Sequence, residues 1–151
     1  VRTPAPHTTA LRGAINLSCW MTPPLMVEIA ARWIADGTAE RLTEAQRTEA
    51  AARQALGTSI LGAYNVQADP HGFHLWLRLP SHWSAGEFQT AAAKHGVEVT
   101  NGAAFANDPS LRPHAVRLGL SHEASRDRVE AGLIIIRDLL REPKTHRAMI
   151  I

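Results

Sequence analysis

Cysteine is nearly absent from this chain. Cys19 is the only one in 151 residues, which excludes an internal disulfide and fits a reducing compartment. No apolar run approaches the roughly 18 residues that a membrane-spanning helix requires. The first ten residues carry no long apolar stretch and do not read as a secretion signal. A cytoplasmic location, away from membranes, is the expectation. The chain opens on Val1 rather than methionine, which suggests a processed or excised piece. Blocks of one charge are missing too. Sixteen basic residues face fourteen acidic ones, and Arg32, Lys94, Arg117, Arg128 and Arg137 are scattered among acids. No basic arm or recognition helix stands out, so direct DNA binding by this chain is not expected.

Motifs that would announce chemistry are also lacking. There is no P-loop and no dinucleotide fingerprint, and Ser59 and Ser121 sit in no nucleophile motif. The eight histidines form no set at convincing metal spacing. His71 and His74 are the nearest pair, and a turn at Gly72 separates them. Cys19 has no histidine near it in sequence and reads as a buried structural thiol. The expectation is no catalytic, cofactor-binding or metal-binding residue in this chain.

What is present is a series of periodic segments, with 45% apolar residues overall, enough for one modest core. Residues 1–22 read as an extended start, with 12–19 a short strand or entry loop. Thr22 before Pro23-Pro24 suggests a capped helix whose face is Met26, Ile29, Ala30 and Trp33, ended by Asp36-Gly37-Thr38. A second helix is expected from Glu44 to Ala63, opened by a Thr43–Gln46 capping box. Its stripe is Ala52, Leu56 and Ile60, with Glu49 and Arg53 paired on the wet side. Gly57 weakens its middle, and close packing would compensate.

A turn at Asp69-Pro-His-Gly72 precedes strand 73–79, where Phe73, Leu75, Leu77 and Leu79 alternate with His74, Trp76 and Arg78. Ser84 and Glu87 form a capping box for a helix with Phe88, Ala91 and Ala92 on its apolar face, ended by Gly96. Strands follow at 97–100 and 116–120. The last helix, 124–141, carries the stripe Val129, Leu133, Ile136 and Leu140, with 143–151 as a tail. This order predicts an α+β two-layer sandwich with helices on one face of a small sheet.

Inside the last strand sits Arg117, in Ala115-Val-Arg-Leu-Gly-Leu-Ser121. An arginine in a short apolar run must reach solvent or meet an anion. A planar guanidinium can grip a carboxylate with two parallel hydrogen bonds, so Arg117 is the candidate substrate-binding residue.

The order of these pieces resembles a known family. Pro70 to Leu79, then Gly96-Val-Glu-Val-Thr-Asn-Gly102 and Phe105, then Val116 to Ser121 with the helix after it, resemble the small C-terminal domain of fold-type I pyridoxal phosphate (PLP) enzymes. In particular they resemble the aminotransferase-like domain of MocR-type members of the GntR transcription regulators. Pro23 to Ala63 also resembles that family, so residues 23–142 are taken as the domain. The resemblance implies that the arginine at position 117 binds the α-carboxylate of an amino-acid-like effector. It implies PLP in the full-length parent, held through a lysine in a large domain, and a winged-helix DNA-binding domain, both outside this chain. It leaves a homodimer open. Where the family has its lysine, Ala5 to Gly13 has none, and the only lysines are Lys94 and Lys144. Where the family often has Pro-Gly, this chain has Asn101-Gly102. Two other readings remain: the C-terminal part of a PLP-dependent aminotransferase, and a protein-interaction or dimerisation module marked by exposed Trp20, Met26 and Trp33.

Overall fold

A computed structural model describes residues 3–108 and 110–142, without the side chain of Cys19. The tail at 143–151, with Lys144 and His146, and the expected burial of Cys19 therefore lie outside the described residues. The chain divides into two compact units, residues 1–44 and 45–151.

The first unit is helical. A 3-10 turn at Ala5–His7 leads into α1, Thr8–Cys19, where the sequence reading expects an extended start and then a strand or loop. The two early prolines, at positions 4 and 6, are confined to that turn. From Thr8 onward no proline interrupts the backbone ladder, and Leu11 and Ile15 share a face. Helix α2 is Pro24–Ala35. Its N-cap position falls on Pro23 rather than Thr22, and no side chain caps it. Gly37 takes φ +76°, the left-handed turn that ends α2. The Thr38 N–H then donates to Asp36 Oδ1 at 2.9 Å. Helix α3 therefore starts at Thr38 and runs to Leu61, six residues ahead of the expected start. The Thr43 hydroxyl donates to the Ala39 carbonyl at 2.7 Å, so it sits inside a helix and forms no capping box with Gln46.

The second unit is a four-stranded antiparallel sheet with helices packed on one face. Strands β1 (Val66–Ala68), β2 (His74–Arg78), β3 (Thr100–Asn101) and β4 (Ala115–Gly119) lie in the order β1-β2-β4-β3. The Asp69 turn closes the β1–β2 hairpin, with the Gly72 N–H donating to the Asp69 carbonyl at 3.0 Å. In β2 the expected alternation holds: Leu75 and Leu77 are fully buried, while His74 and Arg78 are exposed. Val116 and Leu118 of β4 continue that buried face.

Helix α4 (Ala85–Lys94) carries the Ser84–Glu87 capping box in full and buries Phe88 and Ala92. Helix α5 (Arg126–Arg141) buries the whole stripe from Val129 to Leu140. Its cap is Ser125, whose hydroxyl accepts from the Arg128 N–H; Ser121, two residues beyond β4, plays no such part. These residues and Leu61 form one hydrophobic cluster. The α+β two-layer arrangement is thus the one the sequence implies.

Helix α3 departs furthest from its expected packing. Its buried face is Ala50, Arg53, Gln54, Gly57 and Leu61, whereas Leu56 and Ile60 are only half-buried. Gly57 permits a close approach to the sheet. A Cβ there would lie 2.6 Å from Leu75 Cδ1. Arg53 is 6% exposed, not on the wet side. Its Nη1 donates to the carbonyls of Leu120 (2.5 Å) and Glu123 (2.7 Å), and its Nη2 to that of Ala124 (3.4 Å). Its Nε donates to Glu49 Oε1 at 2.7 Å. One guanidinium thus fastens the connection from β4 to α5 onto α3.

Glu49 is shared. Arg126 donates to Glu49 Oε2 at 2.6 Å. Hydrogen bonds from Arg126 first and Arg53 second hold the Glu49 carboxyl down at about 2, against an ordinary 4.5. A lowered carboxylate contributes stability above its unfolded value and loses it as pH falls through the folded one. Stability should therefore decline between about pH 4.5 and pH 2 as Glu49 protonates. The denaturation midpoint of Glu49→Gln should be flatter than that of the parent chain over this interval, and parallel curves would refute the assignment.

Candidate functional site

The face of the sheet opposite the helices carries the candidate site. Antiparallel register sets Gln67, Trp76, Arg117 and Thr100 in one row across the four strands. Alternation puts all of them on the side away from Leu75, Leu77, Val116 and Leu118. His74 and Arg78 are the diagonal neighbours of Arg117 on β2.

Arg117 is half-buried, and it meets no carboxylate among the described residues. Its guanidinium carbon lies 4.7 Å from the centre of the Phe105 ring. Its Nε is buried without a hydrogen-bond partner. Several other arginines are committed to acids: Arg53 and Arg126 to Glu49, Arg128 to Glu123, Arg137 to Asp138. A guanidinium on a strand, stacked rather than salt-bridged, keeps its outer Nη1–Nη2 edge free for an incoming anion.

The expectation for Arg117 is solvent or a local carboxylate. The structure supplies an aromatic ring instead. Phe105 ends the 3-10 turn Gly102–Phe105, which Asn101 opens by accepting the Ala103 N–H at 3.0 Å. Its ring meets Trp76 edge-on, at 5.8 Å and 72°. Gly102 is needed beneath this pair, because a Cβ there would stand 2.8 Å from the Ala115 carbonyl oxygen and 3.2 Å from Trp76 Cη2. The Asn101-Gly102 step thus keeps the loop in place.

Strand β3 is shorter than the expected 97–100. The Val97 N–H donates to the Ala92 carbonyl, and the Val99 carbonyl accepts from Gln89 Nε2. Both bonds turn the segment toward α4, so pairing with β4 begins only at Thr100. The gap opens a groove of about 500 Å³ between Val97–Val99, Leu118–Leu120 and the first half of α5. Arg117 does not line it, and its wall is chiefly apolar. Among the described residues no three His, Cys, Asp or Glu side chains converge on a metal position, and no helix is long and apolar enough to cross a membrane.

Comparison with known proteins finds likeness both in sequence and in fold. Over 117 residues the chain is 32% identical to the uncharacterised HTH-type transcriptional regulator YdeF of Bacillus subtilis (strain 168), covering 78% of this chain and 25% of that protein. The fold also matches LysN, the α-aminoadipate aminotransferase of Thermus thermophilus (TM-score 0.71, 20% identity, 89% of this chain and 36% of LysN). It matches an archaeal alanine:glyoxylate aminotransferase as well (TM-score 0.66, 20% identity, 83% of this chain and 32% of that one). In sequence and fold together the chain resembles the aminotransferase-like domains of MocR-type, GntR-family regulators. No protein-family model matches it. This aminotransferase-like chain spans about a quarter of YdeF and about a third of the two solved enzymes.

The three marker residues of an interaction surface, Trp20, Met26 and Trp33, are all exposed in the first unit, Trp20 to 83%. Leu17, Leu25 and Ile34 are exposed with them.

Proposed function

We propose that this chain is the carboxylate-binding end of an effector-sensing transcription regulator, with residues 23–142 as its aminotransferase-like part. The observation that carries the reading is Arg117: a guanidinium with no acidic partner among the described residues, oriented by a ring on the open face of the sheet. A bidentate partner there orients an amino-acid-like effector without performing bond chemistry.

Among the described residues none fits as the holder of PLP. Lys94 ends α4 in the exposed last turn, on an element that packs against the helical face, and Ala5–His7 is a turn without lysine. The PLP-holding lysine, the DNA-binding winged helix and the large domain belong, in this reading, to the parent protein beyond this chain. The name of YdeF as an HTH-type transcriptional regulator favours the regulator over the enzyme. The parent is read as a cytoplasmic protein, and its remaining domains or a second protomer cover the exposed apolar residues of the first unit.

The alternative parent is a PLP-dependent aminotransferase, favoured by the names of the solved structures with this fold. Purified full-length protein separates the two. The regulator binds its own promoter DNA with an affinity that changes when PLP and an amino acid are added, and it shows no amino-group transfer between that amino acid and a keto acid. Transfer without DNA binding overturns the regulator reading.

A further inference from the structure

We propose that Trp76 is a positioning residue for Arg117, acting through Phe105; the proposal rests on the carboxylate-clamp reading above. An arginine that must receive an anion cannot be held by an acid, because the acid would occupy the fork. The alternative is to hold the guanidinium by its flat face, which with Nε buried leaves the outer Nη1–Nη2 edge free. Phe105 provides that face, 4.7 Å from the guanidinium carbon.

Phe105, however, is not fixed by burial. It is 46% exposed and stands at the end of a short 3-10 turn. Its ring contact within the fold is the edge of Trp76. Trp76 is fixed from three directions. It sits directly opposite Arg117 in the β2–β4 ladder and opposite Gln67 in β1. Its ring closes over Gly102, where no side chain fits. The order Gly102, Trp76, Phe105, Arg117 is therefore a stack that passes the rigidity of the sheet to a half-exposed cation. The buried Nε of Arg117, without a hydrogen-bond partner, accords with a head held by stacking rather than by polar contacts.

The test uses full-length protein and calorimetric titration with the twenty proteinogenic L-amino acids. The tightest binder is then compared with its carboxamide. Trp76→Leu should weaken the acid roughly three- to tenfold, the scale of a lost cation–π orientation, and leave the carboxamide unchanged. Trp76→Phe should restore most of the loss. Trp76→Leu added to Arg117→Gln should cost nothing further. Should Trp76→Leu fold poorly, Phe105→Leu at the exposed ring makes the same comparison. If Arg117→Gln weakens the acid and neither aromatic variant does, the positioning role is wrong and the clamp survives. Equal weakening of acid and carboxamide also overturns it, because Trp76 would then touch the ligand directly or serve only the fold. If Arg117→Gln changes nothing, the clamp reading itself has failed.

Discussion

Replacing Arg53 with methionine should lower the unfolding free energy by roughly 3 kcal/mol, at the lower end of what breaking a buried ionic contact costs. Methionine fills a similar volume with an apolar chain, so lost packing contributes little. The loss comes from three backbone carbonyls, at Leu120, Glu123 and Ala124, that give up their donor together. The buried bond to Leu120 costs about 1.5 kcal/mol or more, while water partly replaces the donor at the part-buried Glu123 and Ala124 carbonyls. The carboxylate of Glu49 is not stranded, because Arg126 still holds it at 2.6 Å. That is why the lower end of the range applies. Denaturant unfolding measures the loss, and amide exchange at 120–125 should quicken with it. A cost below about 1 kcal/mol, the size of an exposed ion pair, would show that Arg53 behaves as a surface residue.

The second large effect belongs to Leu133→Ala, with an expected cost of roughly 2–5 kcal/mol. Leu133 is 4% exposed and lies in the middle of the α5 stripe. It also lines the groove beside Val97–Val99. The space left by its side chain joins that groove, where water can enter, so the cost should fall in the lower half of the range. Ile136→Ala is the internal comparison: at 1% exposed it should cost at least as much. A Leu133→Ala variant as stable as the parent would separate α5 from the core and remove the packing on which the two-layer fold depends.

Much of the fold is legible in the sequence because its elements obey one period each. Strand β2 alternates without an exception from His74 to Arg78, and α5 repeats its apolar positions over about three turns. The Ser84–Glu87 box marks the start of α4 because both partners of the box are local. The failures each have a physical cause. Strand β1 has three residues, too few for an alternation to register. In α3 the buried face includes Arg53 and Gln54, so apolar spacing points to the flank instead. Gln54 tolerates its burial by donating to the carbonyls of Gly72 and His74, partners distant in sequence. The start of α1 is hidden by prolines that end before Thr8.

The site divides in the same way. Arg117 is visible in the sequence as a charge inside an apolar strand, and Trp76 as the polar-face member of an alternating one. Their adjacency is a matter of register between β2 and β4, which no local pattern encodes. The stack of Arg117 on Phe105 depends on the fold of the Gly102–Phe105 turn. Only the small residue at position 102 hints that something must approach closely there.

The central claim is that Arg117 receives a carboxylate. It is tested most directly by amino-acid binding to full-length protein with Arg117 intact and with Arg117→Gln. The substitution keeps a polar side chain of similar reach but removes the charge and the paired donors. The expected result is a loss of roughly 10- to 100-fold in affinity, the worth of hydrogen bonds to a charged group, together with loss of preference for the acid over its carboxamide. Unchanged affinity and unchanged preference would contradict it.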